Sequence, residues 1–307
     1  MHRPLSLVWL KMMTSYYYKK YCKNNKYRDK FYGYMKKKEN WFNTYFYKHY
    51  KDILNYSQNN NITKNKQPYI FVFWDKGLDN ATFLIKDVNK SICKHAGNYK
   101  VINLDNSNYK DFVTIDKKIE DYFERGIISI QNFSDYLRVK LLSEYNCLWV
   151  DATLLALKDI PDWYSKEEFF SVNSPNMYDG KKEYSLYPIF NFGQVYLLGG
   201  SNKRIFKQLS MFFELYLKKK KVYLDYFMIY YFFNFLYTYD YEDKKIIDAL
   251  PLNNEHIEDY FYYRDEPANY VPIDEKDVFA KLSYKFDLTK TLANKKSLLY
   301  SLLKYYL

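Results

Sequence analysis

The strongest constraint on the fold of this chain is an alternation of short apolar runs with helical segments, starting at residue 69 and closing on an aspartate at 151. YIFVFW, residues 69–74, is β-branched and aromatic throughout, as a strand buried on both faces requires, and the turn-forming DKGLDN follows it. Helical periodicity over about 81–95 leads to a second strand, YKVINLD at 99–105. Helices are expected around 116–125 and 134–145, and CLWV at 147–150 is a third strand ending at Asp151. This order predicts an α/β fold with parallel neighbouring strands. Ligands in such sheets gather outside the carboxyl ends of the strands, and Asp151 stands at one of those ends.

The chain before this region follows a different grammar. Up to about residue 57, lysines alternate with Tyr, Phe and Trp near helical spacing, and the asparagine-rich SQNNNITKNKQP, residues 57–68, reads as a connector. The expected division is a basic, aromatic helical extension with its linker over 1–66 and an α/β domain over 67–307. Beyond the third strand the chain turns more helical, at roughly 202–219, 222–239 and 294–306. VYLDYFMIYYFFNFLYTY, residues 222–239, is long and oily, but Asp225, Asn234 and its tyrosine hydroxyls mark it as a buried core helix and not a membrane span. KKKK at 218–221 complements the dipole at a helix C-terminus.

A formal charge of +11 favours an anionic surface or substrate, whether nucleic acid, acidic lipid or a diphosphate. Cysteines 22, 93 and 147 are odd in number and widely spaced, which argues against a disulfide framework or a zinc ribbon and fits a reducing cytoplasm. The opening MHRPLSLVWLKMM has too short an apolar run to span a bilayer and lacks a small-residue cleavage signature.

Two local patterns carry chemistry. Ser134 is placed to cap a helix, Asp135 to occupy its positive first turn, and Arg138, three residues on, to share a face with Asp135. That is either a cap with a surface ion pair or half of a binding site. Asp151 and Thr153 point the same way from extended chain, so a carboxylate and a hydroxyl can converge on one hard cation. The same Asp-x-Thr also suits a plain turn after a strand.

The block FSDYLRVKLLSEYNCLWVDAT, residues 133–153, resembles the signature of capsular polysaccharide synthesis glycosyltransferases, a bacterial family related to DxD-motif sugar transferases. Four more blocks resemble that family in the same order: FVFWDKGLDNATFLIKDVNKSICKHAGNYKVINLD, NFGQVYLLGGSNKRIFKQL, VYLDYFMIYYFF and FAKLSYK. Together they cover residues 69 to about 302. The resemblance implies a GT-A-type nucleotide-sugar-binding fold, a Rossmann-like mixed sheet flanked by helices, here with an N-terminal helical extension. It also implies sugar transfer, with retention, from a UDP- or GDP-sugar onto a capsule or other surface-glycan acceptor.

Carried over by position, Asp151 is the catalytic metal ligand on the donor diphosphate, helped by Thr153 and served by Mn²⁺ or Mg²⁺. Ser134, Asp135 and Arg138 hold the donor, and Trp74 and Gly77 lie where such a fold receives the nucleotide. Lys281 or Lys285 adds positive charge at the leaving diphosphate. Asn191 and Gly193 form either a loop beside the sugars or an Asx-capped turn, and Asp225 either serves in the active-site wall as a second catalytic carboxylate or faces solvent. His256 either touches the phosphate or is exposed, His95 complements a helix C-terminus, and Cys147 fills the core. The chain departs from the family where Asn146-Cys147 replaces Gly-Gly and where the second acid of a DxD is Thr153, which weakens the expected metal dependence.

The partners implied are a nucleotide-sugar donor and a free or lipid-linked glycan acceptor, with peripheral contact to the inner face of an anionic membrane through the extension. A helical packing role for the extension stands beside the membrane role. A sugar-1-phosphate transferase and a non-enzymatic basic nucleic-acid-binding protein are the alternative functions; no nucleic-acid signature accompanies the charge.

Overall fold

The computed structural model describes residues 4–57, 63–174, 194–219, 223–271, 276–285 and 287–306. The N-terminal region is a helical hairpin, α1 (Leu5–Lys23) and α2 (Arg28–Tyr50). The expected strands follow as β1 (Tyr69–Phe73), β2 (Lys100–Leu104) and β3 (Cys147–Val150). Between them run α3 (Phe83–Lys94), α4 (Lys117–Glu124) and α5 (Ile130–Glu144). β1 is the hub, parallel to β2 from Tyr69↔Lys100 to Phe73↔Leu104 and parallel to β3 from Tyr69↔Cys147 to Phe71↔Trp149. Its residues Ile70 to Phe73 are all buried, which is why the run carries no polar alternation.

After β3 the chain adds β4 (Leu154–Ala156), α6 (Trp163–Lys166), β5 (Phe170–Ser171) and β6 (Leu197–Gly199). β6 pairs antiparallel with β3, and β5 antiparallel with β6, so the main sheet is mixed, with strand order β2-β1-β3-β6-β5. Gly199 permits the close approach of β6, since a Cβ there would lie 2.2 Å from Leu148 Cδ2. The remaining elements are α7 (Arg204–Lys219), α8 (Met228–Tyr239), α9 (Tyr241–Asp248), α10 (Asp259–Tyr262), β7 (Phe279–Lys281), α11 (Thr289–Ala293) and α12 (Leu298–Tyr306). β7 pairs antiparallel with β4 in a separate two-stranded sheet, with Leu154 opposite Lys281 and Ala156 opposite Phe279.

The hairpin packs onto the α/β region through α2. Phe42 stacks on Tyr231 of α8 at 4.0 Å between ring centroids, and Phe46 meets Phe212 of α7 edge-on. Leu7, Phe42, Phe46, Tyr50 and Ile53 therefore belong to the same buried cluster as the sheet. α8 is the buried core helix expected from its composition, but it starts at Met228, not at 222. No helix among the described residues is long and apolar enough to cross a membrane.

Two sequence expectations are corrected by local geometry. α5 begins four residues before the position expected, and Ser129 caps it by accepting the Asn132 N–H. Ser134 is therefore not the cap: it sits inside the helix, where its hydroxyl accepts from Arg138. Asp225, expected either in the active-site wall or facing solvent, precedes α8 and is buried. One of its oxygens accepts the Phe227 N–H, and the other pairs with Lys11 of α1 at 2.9 Å.

Candidate functional site

A cavity of about 790 Å³ opens at the carboxyl ends of β1 and β3. That volume lies within the range of small-molecule sites. Of the residues singled out in the sequence, Trp74, Ser134, Asp135, Arg138, Asp151, Thr153, Lys281 and Lys285 line it. Gly77 lines an adjoining cavity of about 430 Å³ at the ends of β1 and β2, which shares Trp74, Lys76 and Asn80 with the first. Asp225 and His256 line neither. His256 is paired instead with Asp259, and His95, at the end of α3, with Asp159. Cys147 is fully buried in the core. Asn191 and Gly193 lie outside the described residues.

Three segments meet on Asp151. From β3, Trp149 points to the same side two residues earlier, and its indole N–H donates to Asp151 Oδ1 at 2.8 Å. From α5, the Arg138 guanidinium lies 3.3 Å from Asp135 and 3.8 Å from Asp151, over the face of the Trp149 ring. From β7, Lys281 Nζ stands 3.2 Å from Asp151 Oδ2 and donates to Thr153 Oγ1 at 2.6 Å. The β4–β7 ladder makes this meeting possible: Lys281, opposite Leu154, stands at its end next to the turn at Ala152 and Thr153, and the Leu282 N–H donates to the Thr153 carbonyl at 2.8 Å.

The two cations differ in how far they are committed. Arg138 also donates to the Val195 carbonyl and to Ser134, and its side chain is only 7 % exposed. Its guanidinium is occupied with the two acids, Ser134 and the segment leading into β6 at Val195. Lys281 is 24 % exposed, with its ammonium also over the Tyr196 ring. Lys76 and Lys285 add exposed cationic arms at the rim.

The two aspartates are held in opposite directions. Burial pushes the Asp151 carboxyl up, but Lys281 and Arg138, with the Trp149 N–H, outweigh it and keep it below the usual carboxylate range. Asp135 lacks a comparable set of partners. Burial raises it to about 7, against the pull of Arg138 and with a further push from Asp151.

The dication expected on Asp151 and Thr153 finds both groups already bound to one ammonium. Hard dications take six or more oxygens, and no group of three His, Cys, Asp or Glu among the described residues could hold a metal ion. One carboxylate and one hydroxyl, flanked by Lys281 and Arg138, do not make a protein cage for a resident dication; a dication carried in on a donor's phosphates would take Asp151 and Thr153 as its protein oxygens in place of Lys281.

Sequence reasoning missed Trp149 as a site residue, although its i, i+2 relation to Asp151 was a usable signal. It also missed Tyr226, Tyr262 and Tyr284, which line the cavity together with Trp74; Tyr284 meets Trp74 edge-on at 5.0 Å. Nothing local distinguishes those three among 38 tyrosines.

Gly77 closes the turn after β1. Its N–H donates to the Trp74 carbonyl at 2.9 Å, its φ is +75°, and a Cβ would meet Asp105 Oδ2 at 3.1 Å. Asp105 follows β2 and accepts from the Ser107 N–H and hydroxyl, which hold its carboxyl below the usual range.

Comparison with curated proteins gives no match. The model of one protein family, described as capsular polysaccharide synthesis protein, matches residues 10–302, which takes in most of the helical hairpin as well as the sheet and its site. The chain belongs to this capsular polysaccharide synthesis family.

Proposed function

We propose that the chain is a glycosyltransferase of GT-A type that moves a sugar, with retention, from a UDP- or GDP-sugar to a glycan acceptor. The observation that carries this reading is the convergence of Lys281, Arg138 and Trp149 on Asp151 at the carboxyl edge of the sheet, beside a cavity large enough for such a donor. The nucleoside end is assigned to the smaller cavity, between Trp74, Gly77 and Asp105. The diphosphate is assigned to Lys281, with Lys76 and Lys285 closing from the rim.

In the reaction, the bond between sugar C1 and the diphosphate oxygen breaks, and its electron pair stays on that oxygen. Lys281 meets the developing charge with an ammonium oriented in advance by Asp151 and Thr153. The acceptor hydroxyl oxygen bonds to C1, and its proton leaves on the departing phosphate. Asp151 and Arg138 act as positioning residues, Asp151 by aiming Lys281 and Arg138 by fixing Asp151 and Asp135. Asp135 borders the sugar and accepts from its hydroxyls when ionised. Tyr226, Tyr262, Tyr284 and Trp74 offer flat apolar faces edged with polar groups, suited to an acceptor sugar ring. No step is routed through a metal ion.

A thermal-shift panel of nucleotide sugars, followed by analysis of the released nucleotide, tests the reading. A ligand that binds only the folded chain raises its apparent stability. Stabilisation by one UDP- or GDP-sugar with release of the nucleoside diphosphate is expected. Release of the monophosphate would mean sugar-1-phosphate transfer. Failure of every donor, with salt-sensitive binding to single-stranded DNA, would overturn the proposal in favour of nucleic-acid binding.

A further inference from the structure

α1 carries two faces, and packing buries only one; on the other, Trp9 meets Tyr34 of α2 edge-on at 5.6 Å and the rest of the stripe stays open. Leu7, Leu10, Thr14 and Tyr21 are buried against the rest of the protein. On the opposite face, Leu5 is 86 % exposed, Trp9 50 %, Met12 66 % and Tyr16 51 %. Their spacing of four, three and four residues aligns them in one stripe, and the same line continues into the exposed Lys19 and Lys23.

Charge is concentrated beside this stripe. Residues 5–50 hold eleven Lys and Arg against two acids, a net +9 of the +11 of the whole chain. Lys11 is paired with Asp225 and Lys38 is buried, but Lys26, Arg28, Lys30, Lys36 and Lys37 are exposed.

We infer that α1 lies in the headgroup layer of an anionic bilayer, with Leu5, Trp9 and Met12 at the acyl boundary and the lysines on lipid phosphates. A helix with an apolar stripe that runs into basic residues has the build of an interfacial element, and each basic residue near an anionic leaflet adds to the attraction. A second copy of the chain is the poorer occupant, because it would bring one +9 hairpin against another. Nucleic acid would engage the lysines and leave the apolar stripe in water.

The placement bears on the proposed reaction. Lys11 of α1 grips Asp225, and the next two residues, Tyr226 and Phe227, line the main cavity. Lys11 reaches Asp225 from near the buried side of α1, so a helix laid on the membrane holds the cavity wall roughly one helix diameter from the bilayer, within reach of the sugars of a lipid-linked glycan acceptor. This consequence rests on the glycosyltransferase reading; the membrane contact itself does not.

The test is flotation of the full chain with phosphatidylcholine vesicles, with and without about a third phosphatidylglycerol. The parent is expected to float with the anionic vesicles and not with the neutral ones. The triple variant Leu5→Ser, Trp9→Ser, Met12→Ser should bind the anionic vesicles at least about tenfold more weakly, because the stripe supplies the apolar burial. Lys19→Glu with Lys23→Glu should lower binding as well. Removing the whole hairpin is not a clean substitute, since Phe42 and Phe46 sit in the core. Binding unchanged in the triple variant, or no binding by the parent, would overturn the inference. So would a parent dimer, seen by light scattering without vesicles, that the triple variant abolishes. Donor-induced thermal shifts, read on the same variants, separate loss of membrane contact from failure of the enzymatic reading.

Discussion

Replacing Lys281 with methionine keeps the length and apolar stem of the side chain and removes its charge. The ammonium lies 3.2 Å from Asp151 Oδ2. Unit charges at that separation attract by about 5 kcal/mol at an effective dielectric near 20. Desolvation of two partly exposed groups cancels most of this, so the variant should lose about 1–2 kcal/mol of stability and a few degrees of Tm. The catalytic cost should be larger. One preorganised charge aimed at a leaving oxygen contributes about 3–4 kcal/mol to the transition state, roughly a hundred- to a thousandfold in kcat. Nucleoside diphosphate release should be followed for parent, Lys281→Met and Lys281→Arg, each with and without EDTA. Lys281→Arg should retain part of the rate, and EDTA should change the parent by less than about threefold. If Lys281→Met turns over within about threefold of the parent, the assigned role of Lys281 is wrong. Abolition of parent activity by EDTA would instead give that role to a dication.

Three further outcomes follow from the geometry. Burial lifts the Asp135 carboxyl from 3.8 to about 7, so between those values the folded chain binds a proton that the unfolded chain has lost. Its contribution to stability is complete below about pH 4 and is lost as pH rises through about 7, a difference of up to a few kcal/mol. Urea midpoints at pH 5 and pH 8 should therefore fall less for Asp135→Asn than for the parent, Asp243, raised to about 7 by burial, contributing its own share in both; equal slopes would reject this. Gly77→Ala, at φ +75° and facing Asp105, should cost about 1–2 kcal/mol and weaken donor binding in the thermal-shift assay, whereas an unchanged shift would separate the smaller cavity from the nucleotide. Asp225→Asn breaks the pair with Lys11 and should cost about 1–3 kcal/mol in denaturant titration while leaving kcat per folded molecule as in the parent. A large fall in kcat at full folding would return Asp225 to the active site.

What the sequence revealed depended on how local the signal was. β1, β2 and β3 were legible because each is an apolar run bounded by turn residues, and Asp151 was found because it ends the last of them. β5 and β6, of two and three residues, carry too little pattern to be seen, and they are the pair that turns a parallel sheet into a mixed one. The start of α5 was misplaced because Ser129 and Ser134 both stand ahead of segments with apolar helical periodicity. The Ser129 hydroxyl takes the Asn132 N–H, and Phe133, in the first turn that this cap starts, is buried and stacks on Phe123 at 3.9 Å. Asp225 was misread for a similar reason. An acid in an oily stretch demands a partner, but the partner is Lys11, near the opposite end of the chain, and only the docking of α1 brings the two together.

The site is assembled by two sheets, not one. Asp151 and Trp149 belong to the main sheet, Arg138 to the helix packed beside it, and Lys281 to a three-residue strand whose only ladder partner among the described residues is β4. β4 begins three residues after Asp151, so the Asp-Ala-Thr motif is the hinge by which the chain leaves the first sheet and enters the second. This gives Thr153 a purpose apart from metal binding. Its carbonyl receives the Leu282 N–H and its hydroxyl receives Lys281, which sets the lysine's reach to Asp151. A second carboxylate at 153 would compete with Asp151 for that ammonium; a hydroxyl anchors it and leaves its charge undivided. The threonine that looks like a weakened DxD ligand is, on this geometry, the residue that anchors Lys281 beside Asp151.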